Sequence, residues 1–444
     1  MLPATRATGV RPAVGALSPR GRNGKKAAGS CHPRGMRMKL ARFLPAVAIV
    51  GMVVSACGGN NNPTTTTATV PSDLSISVFD ANFTYMPKLN DLVKAGKGSI
   101  GVLLPDATSS ARYVTFDQPA LTKALTGAGY TSSQFTIDNA GGVEAQELSQ
   151  AQALITAGAT VLIMDPLNSS VGSQIQAYAQ SHGVKVISYD RATFTGTNTY
   201  YVSFDNVQVG ELIGKGFVKC VSTWNISSPQ VFELDGGQNS DPNAIDFAKG
   251  YNDAIWGDKV QTETTGKTNS QGMKLVGEQV ATDWKNDIGG TIFQQQFTAH
   301  PTINATVEAN DGLANAVVQV LKNRGVGAKK IPTTGQDASP DGLVNVLTGY
   351  QCGTVYKAIY LEAQDAVALA TVLRAGQTPP SALLNGTTTP PSGVSGNQQP
   401  ASLLVPTWVD VSNMNATVIK DNFVDKTTLC SKAGAAACTA AGIS

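Results

Sequence analysis

Histidine is scarce in this 444-residue chain, cysteine is uncommon, and only 14% of the residues carry charge. One of the three histidines lies in the basic head, which leaves His182 and His300 for the body. Two histidines leave little room for a Ser-His-Asp or Cys-His catalytic arrangement. No C-x-x-C pair occurs, which speaks against a metal centre built on thiolates. No G-x-G-x-x-G follows the first strand-like run, which weakens a dinucleotide site. Gly266-Lys267-Thr268 imitates a phosphate loop, but Gln261 stands where that loop needs its first glycine, and no apolar strand precedes it. Acidic residues are absent from positions 1–56, which hold ten Lys or Arg. The rest of the chain therefore has 23 bases against 31 acids, about −8 in all. That sign disfavours nucleic acid, because attraction to phosphate needs the opposite one.

The basic head has the parts of a secretory signal in order. Arg37, Lys39 and Arg42 precede an apolar run from Phe43 to Val54, and Ser55-Ala56 leads to Cys57. The run is shorter than the ~20 apolar residues of a spanning helix. A cysteine directly after small residues is similar to the bacterial lipobox, which makes Cys57 the expected lipidation site and places the cut after residue 56. Residues 1–35 read as an over-extended start, with Met36 or Met38 the true one. "GGNNNPTTTTATVPS" after Cys57 is polar and of low complexity, so 57–97 is expected to be a tether and lead-in segment. A lipid, a tether and a globular body together describe a protein held at the outer face of a membrane. In that oxidising setting Cys220, Cys352, Cys430 and Cys438 are expected to be bridged. Of the three possible pairings, Cys430–Cys438 closes a local loop and leaves Cys220 with Cys352.

From Ser99 onward short apolar runs alternate with stretches of helical spacing. "SIGVLLPD", "FTIDN", "TVLIMDP" and "VKVISYDR" are separated by helices over 112–127, 143–157 and 170–182. "TYYVSFDN", "PQVFELDGG", "KLVGEQVATDW", "INATVEAND", "KIPTTGQD" and "CGTVYK" continue the alternation. Near-continuous Val, Ile and Leu in most runs fits strands buried on both faces of a parallel sheet. The fold class is therefore α/β, two doubly wound parallel-sheet lobes. "LNGTTTPPSGVSGNQQPAS" (384–402) reads as a surface loop, and "LLVPTWVDV" as one further strand.

Each apolar run stops at a polar side chain: Asp106, Asp165, Asp190-Arg191, Asp235, Asn310-Asp311, Asp337, Lys357. Ligands of open parallel sheets bind beyond these carboxyl ends. Helix capping explains an Asp or Asn there, but not Arg191 or Lys357. Carboxylates, amides and guanidinium groups in such number suit a polyhydroxyl ligand, which both donates and accepts. Tyr113 and Trp284 are candidate apolar plates for its C–H face.

The ordered set "SIGVLLPD…ARY", "VISYDR", "YYVSFDN…VGELIGKGFV", "DPNAIDFAKGYN", "EAND", "TTGQDA" and "TVYKAIYLEAQ" resembles the periplasmic D-xylose-binding proteins and related type I sugar-binding proteins of the ribose and galactose type. The resemblance runs from about 98 to 425 and implies three hinge strands between the lobes. It places an N-terminal lobe at 98–203 plus 358–403 and a C-terminal lobe at 204–357 plus 404–444. It also implies a ligand set of Arg112, Tyr113, Asp190, Arg191, Asn243, Trp284, Asn310, Asp337 and Lys357. Tyr113 stands where a tryptophan stacks in that family, Asp337 falls on the second lobe's rim, and Lys357 lies near a hinge crossover. The insertion around 385–399 matches no motif of the family.

The function implied is capture of a monosaccharide, a xylose-like pentose first, for the permease subunits of an ATP-binding-cassette importer. Such a protein is a monomer that uses no cofactor and performs no chemistry. Recognition of another polyol or a furanose is the first alternative. A sugar-responsive regulator would need a basic helix-turn-helix where the signal and tether stand. A secreted sugar hydrolase would need a carboxylate pair, which sequence alone does not reveal.

Overall fold

The structure is a computed structural model that describes residues 68–443, apart from 111, 198, 239–240, 258–264 and 267. The expected signal (1–56), the expected lipidation site Cys57 and the expected tether up to residue 67 lie outside the described residues. The expected α/β architecture of parallel sheets is present. A short helix α1 (Asn90–Ala95) leads into β1 (Ser99–Leu104), α2 (Gln118–Ala128), β2 (Phe135–Asn139), α3 (Glu144–Thr156), β3 (Ala159–Met164), α4 (Ser169–Ser181), β4 (Lys185–Tyr189) and β5 (Thr199–Phe204). A second series follows: α5 (Asn206–Thr223), β6 (Gln230–Gly237), α6 (Pro242–Trp256), β7 (Lys274–Thr282), α7 (Asn286–Ala299), β8 (Ala305–Glu308), α8 (Asp311–Asn323), α9 (Pro340–Thr348) and β9 (Thr354–Tyr356). The chain then returns through α10 (Ile359–Arg374), β10 (Gly386–Thr388) and β11 (Gln399–Leu404), and leaves through β12 (Thr407–Val409), α11 (Lys426–Ala433) and α12 (Ala435–Ala440).

The first lobe is built on a seven-stranded sheet in the order β10-β11-β5-β4-β3-β1-β2. Only β10 is antiparallel. Strand β1 is buried from Ile100 on because helices cover both faces, which is why these runs are apolar without alternation. The second lobe is built on β7-β6-β8 and the antiparallel pair β12-β9. Its core joins Phe232, Leu234, Phe293 and Val307 to α5, α6 and α8 and to the C-terminal segment. The chain crosses between lobes three times, at 204–206, 357–359 and 404–407. Disulfides join Cys220 of α5 to Cys352 before β9, and Cys430 to Cys438.

Four sequence expectations need correction. The lead-in is polar only at its start: Leu74, Phe79, Phe83, Met86, Leu89 and Leu92 are buried against the first lobe. The segment 384–402 is a loop only in its middle. Its ends are β10 and β11, and β11 extends the sheet beside β5. The tip folds back, the Asn397 N–H donating to the Phe194 carbonyl at 2.7 Å. "LLVPTWVDV" is two strands in different sheets, because Pro406 has no N–H for a ladder and the chain changes lobe there. "KIPTTGQD" gives only an isolated bridge, Gln336 to Val355. Scattered backbone bonds, such as Thr306 N–H to the Pro332 carbonyl and Val355 N–H to the Gly335 carbonyl, are interleaved with side-chain bonds: Thr334 N–H donates to the buried Glu308 carboxylate, and Glu308 N–H to the Thr334 hydroxyl.

Candidate functional site

Beyond β1 the Asp106 carboxylate accepts the N–H groups of Thr108 and Ser109, and so turns the chain. The chain then enters a wide turn, Tyr113–Asp117, that runs into α2. Wide turns of this kind are frequent at functional sites. Arg112, 2% exposed, is anchored here by three carboxylates. Its Nε and Nη2 donate to the two oxygens of Asp117 at 2.9 and 2.7 Å, Nη2 also to Glu362 at 2.8 Å, and Nη1 to Asp190 at 2.6 Å. Four of its five N–H donors are thereby engaged.

Asp190 follows β4 in the left-handed region, φ +57°, which Asp adopts more readily than most residues. The turn sends its carboxylate and the Arg191 side chain to different partners. Asp190 takes Arg112 and, at 3.3 Å, the Tyr113 hydroxyl. Arg191 donates to the same hydroxyl at 2.8 Å and to the Pro166 and Leu167 carbonyls at 3.2 Å each. The adjacent charges are thus bridged by Tyr113. That residue is 2% exposed and acts through its hydroxyl as well as its ring, a role the sequence reading had not assigned it. Burial works to raise the Asp190 carboxyl, but Arg112, Lys357 and Arg191 outweigh it and hold the group below its ordinary value.

Asn243 starts α6 on the second lobe, where Asp241 accepts its N–H as the cap at 3.0 Å. The other Asp241 oxygen accepts the Trp284 indole N–H at 2.9 Å. Asp283 and Trp284 are both left-handed, φ +56° and +59°, which lays the indole against the end of β6. A Cβ on Gly236 would come within 2.0 Å of that ring, so only glycine fits. Phe247, one turn beyond Asn243, meets the indole edge-on at 6.1 Å. Asn310 caps α8 through the Leu313 N–H.

Asp337 is 6% exposed and sits between the lobes rather than on a rim, because its oxygens face Lys357 Nζ at 3.0 Å and the Ser110 hydroxyl at 3.0 Å. Lys357 also lies 3.9 Å from Asp190.

A small cavity lies between the lobes, and all nine residues of the sequence-derived ligand set line it. Ser109, Ser110, Asp241, Phe247 and Gln336 line it as well. Of these, Asp241 had a sequence signal, an Asp before Pro at a helix start. Gln336 sits inside "TTGQD", and nothing local marks Ser109 or Ser110. The other strand-end acids fall outside. Asp165 lies behind Arg191, Asp235 accepts the Tyr251 hydroxyl, and Asp311 accepts the Ser339 N–H.

Two bonds cross from lobe to lobe at this cavity. Asn243 Nδ2 donates to the Asp190 carbonyl at 2.9 Å, and Ser110 donates to Asp337. The Oδ1 of Asn243 and Oε1 of Gln336 are buried acceptors without a donor. With the cations already matched by carboxylates, such a site favours a neutral ligand rich in hydroxyl donors.

Buried carboxyls elsewhere make stability depend on pH. Burial pushes Glu308 and Asp365 up to about 8, and Asp311 to about 7, the latter also through Asp337 nearby. Burial likewise pushes Glu362 to about 8 although Arg112 pulls it down. Folding therefore binds protons between about pH 4 and 8, and stability falls as pH rises through that window. At ~1.4 kcal/mol per unit per group, the melting temperature at pH 8 is expected to lie roughly 5 °C or more below that at pH 5. Calorimetric scans at the two values check it; equal melting points would refute the buried-acid account.

The family model described as "Periplasmic binding protein domain" matches residues 100–378. The D-xylose-binding periplasmic protein of Escherichia coli (strain K12) is 33% identical over 288 residues, 65% of this chain and 80% of the relative. The multiple sugar-binding periplasmic receptor ChvE of Rhizobium radiobacter is 29% identical over 337 residues, 74% of this chain and 91% of the relative. Among solved structures, an ABC transporter solute-binding protein from Clostridium phytofermentans with bound β-D-glucose superposes with a TM-score of 0.63 at 22% identity. That match covers 74% of this chain and 99% of the other, and likens the fold alone.

Proposed function

The chain belongs to the periplasmic binding protein family, and from that premise we propose that it is an extracytoplasmic sugar-binding protein of the ABC-transporter type. A xylose-like pentose is its first candidate ligand, delivered to the permease subunits by a monomer that Cys57 anchors through lipid. The observation that carries this reading is the convergence of charged, amide and aromatic side chains from both lobes on one small, neutralised cavity. The lobes correspond to 98–203 plus 358–403 and 204–357 plus 404–444, and the three crossings act as hinges.

Arg112, Tyr113, Asp190 and Arg191 present a preorganised first wall. Asn243, Trp284, Asn310, Asp337 and Lys357 bring the second wall to it. The ligand stabilises closure because its hydroxyls bond to both walls at once, and Trp284 and Phe247 cover its apolar face. Turnover has no support here. Glycoside cleavage needs one carboxyl kept protonated, whereas Asp190 is held below its usual range.

Titration calorimetry with xylose, ribose, arabinose, glucose and inositol tests the reading. Heat and a raised melting temperature with a pentose are expected. No heat from any of the five would sink it.

A further inference from the structure

We propose that the site continues outward into a second sugar subsite, so that its ligands include neutral disaccharides that extend the monosaccharide. This rests on the monosaccharide reading of the inner cavity. Next to that cavity lies a larger open cleft, walled by both lobes. The two spaces share Ser109, Arg191, Asp241 and Trp284, so they meet at these four side chains. The lobes already touch through the Asn243–Asp190 and Ser110–Asp337 bonds. Closure therefore does not collapse the outer cleft, and a ring confined to the inner cavity makes no use of it.

The cleft is furnished for hydroxyl groups. The starts of α3, α4 and α7 border it. Asn168, whose amide donates to Glu144, and Gln238, whose amide donates to Asp283, line it from opposite lobes. Ser169 Oγ, on its first-lobe side, is buried with no hydrogen-bond partner. The left-handed pair Asp283-Trp284 sets the indole where inner cavity and outer cleft meet, and residues held in such conformations cluster at ligand clamps. Charge narrows the class further. Asp106, Glu144, Asp241, Asp283 and Asp287 line the cleft against Arg191 and Lys285, a net negative wall. A second unit bearing a carboxylate is repelled there, and a neutral one is not.

Calorimetry on the intact protein compares xylose with xylobiose, glucose with cellobiose, and xylobiose with a glucuronosyl-xylose. The disaccharide of the sugar that binds is expected to bind at least as tightly as that sugar, and the acidic disaccharide at least 10-fold more weakly than the neutral one. Ser169→Ala and Gln238→Ala should each weaken the disaccharide about 5-fold, the size of one hydrogen bond, and leave the monosaccharide within 2-fold. Heat with a monosaccharide but none with either disaccharide overturns the subsite alone. Absence of heat with every sugar overturns the monosaccharide reading and the subsite together.

Discussion

Replacing Arg112 with methionine is expected to lower the melting temperature by roughly 5 °C. Methionine keeps much of the apolar stem but leaves Asp117, Asp190 and Glu362 buried around an empty charge position. Breaking a buried ion pair from one side costs ~3–5 kcal/mol, because the remaining charge has no compensation. The effect should depend on pH in a definite direction. At pH 5 Glu362, already raised to about 8, is protonated and contributes no stranded charge. At pH 8 it must either ionise without Arg112 or hold a proton against the solvent, so the loss is larger. Arg112→Lys should recover only part of the loss, since one ammonium cannot reach three carboxylates with the geometry of a planar fork. Thermal denaturation of the three proteins at both pH values decides it. A shift under 2 °C would mean that the cluster is not what organises the first wall.

Asn243→Ala should weaken sugar binding about 100-fold while moving the melting temperature of the free protein by only a few degrees. The side chain donates across the lobes to the Asp190 carbonyl and keeps a buried acceptor for the ligand. Loss of both bonds, with partners left unsatisfied, is worth ~3 kcal/mol. Asn243→Asp is the sharper control. It restores the acceptor but turns the donor into a carboxylate oxygen against a carbonyl, so it should not rescue binding. Calorimetry with the sugar that gives the largest heat for the parent protein measures each; a loss below 3-fold would remove Asn243 from the closing contact.

Much of the architecture was legible because parallel strands covered on both faces must be apolar throughout. "SIGVLLPD" and "VKVISYDR" therefore announced both a strand and its end. Failures came where local pattern and long-range pairing diverge. "NGTTTPPSGVSGNQQPAS" has loop composition, yet its last residues find an open edge at β5 and become β11. "KIPTTGQD" has strand spacing, yet the Glu308 side chain takes the N–H that a ladder would have used. At the site, charged and amide residues stood out because burial makes them costly without partners. Ser110, Phe247 and Gln336 did not, because serine, phenylalanine and glutamine are unremarkable wherever a helix or turn begins.

What the sequence determined by itself was local: which stretches are buried, and that Asp190, Arg191 and Lys357 must stand beyond their ends, since an unpaired charge is not tolerated inside a sheet. Only the tertiary structure decided how those charges are matched. Arg112 reaches Asp190 across 78 positions and Glu362 across 250, and Tyr113 stands between Asp190 and Arg191 although they are neighbours in the chain. Hydrogen bonds and ion pairs act over about 3 Å in space. Separation along the chain carries no record of that distance, so the partners of a buried charge emerge only when the sheets bring them together.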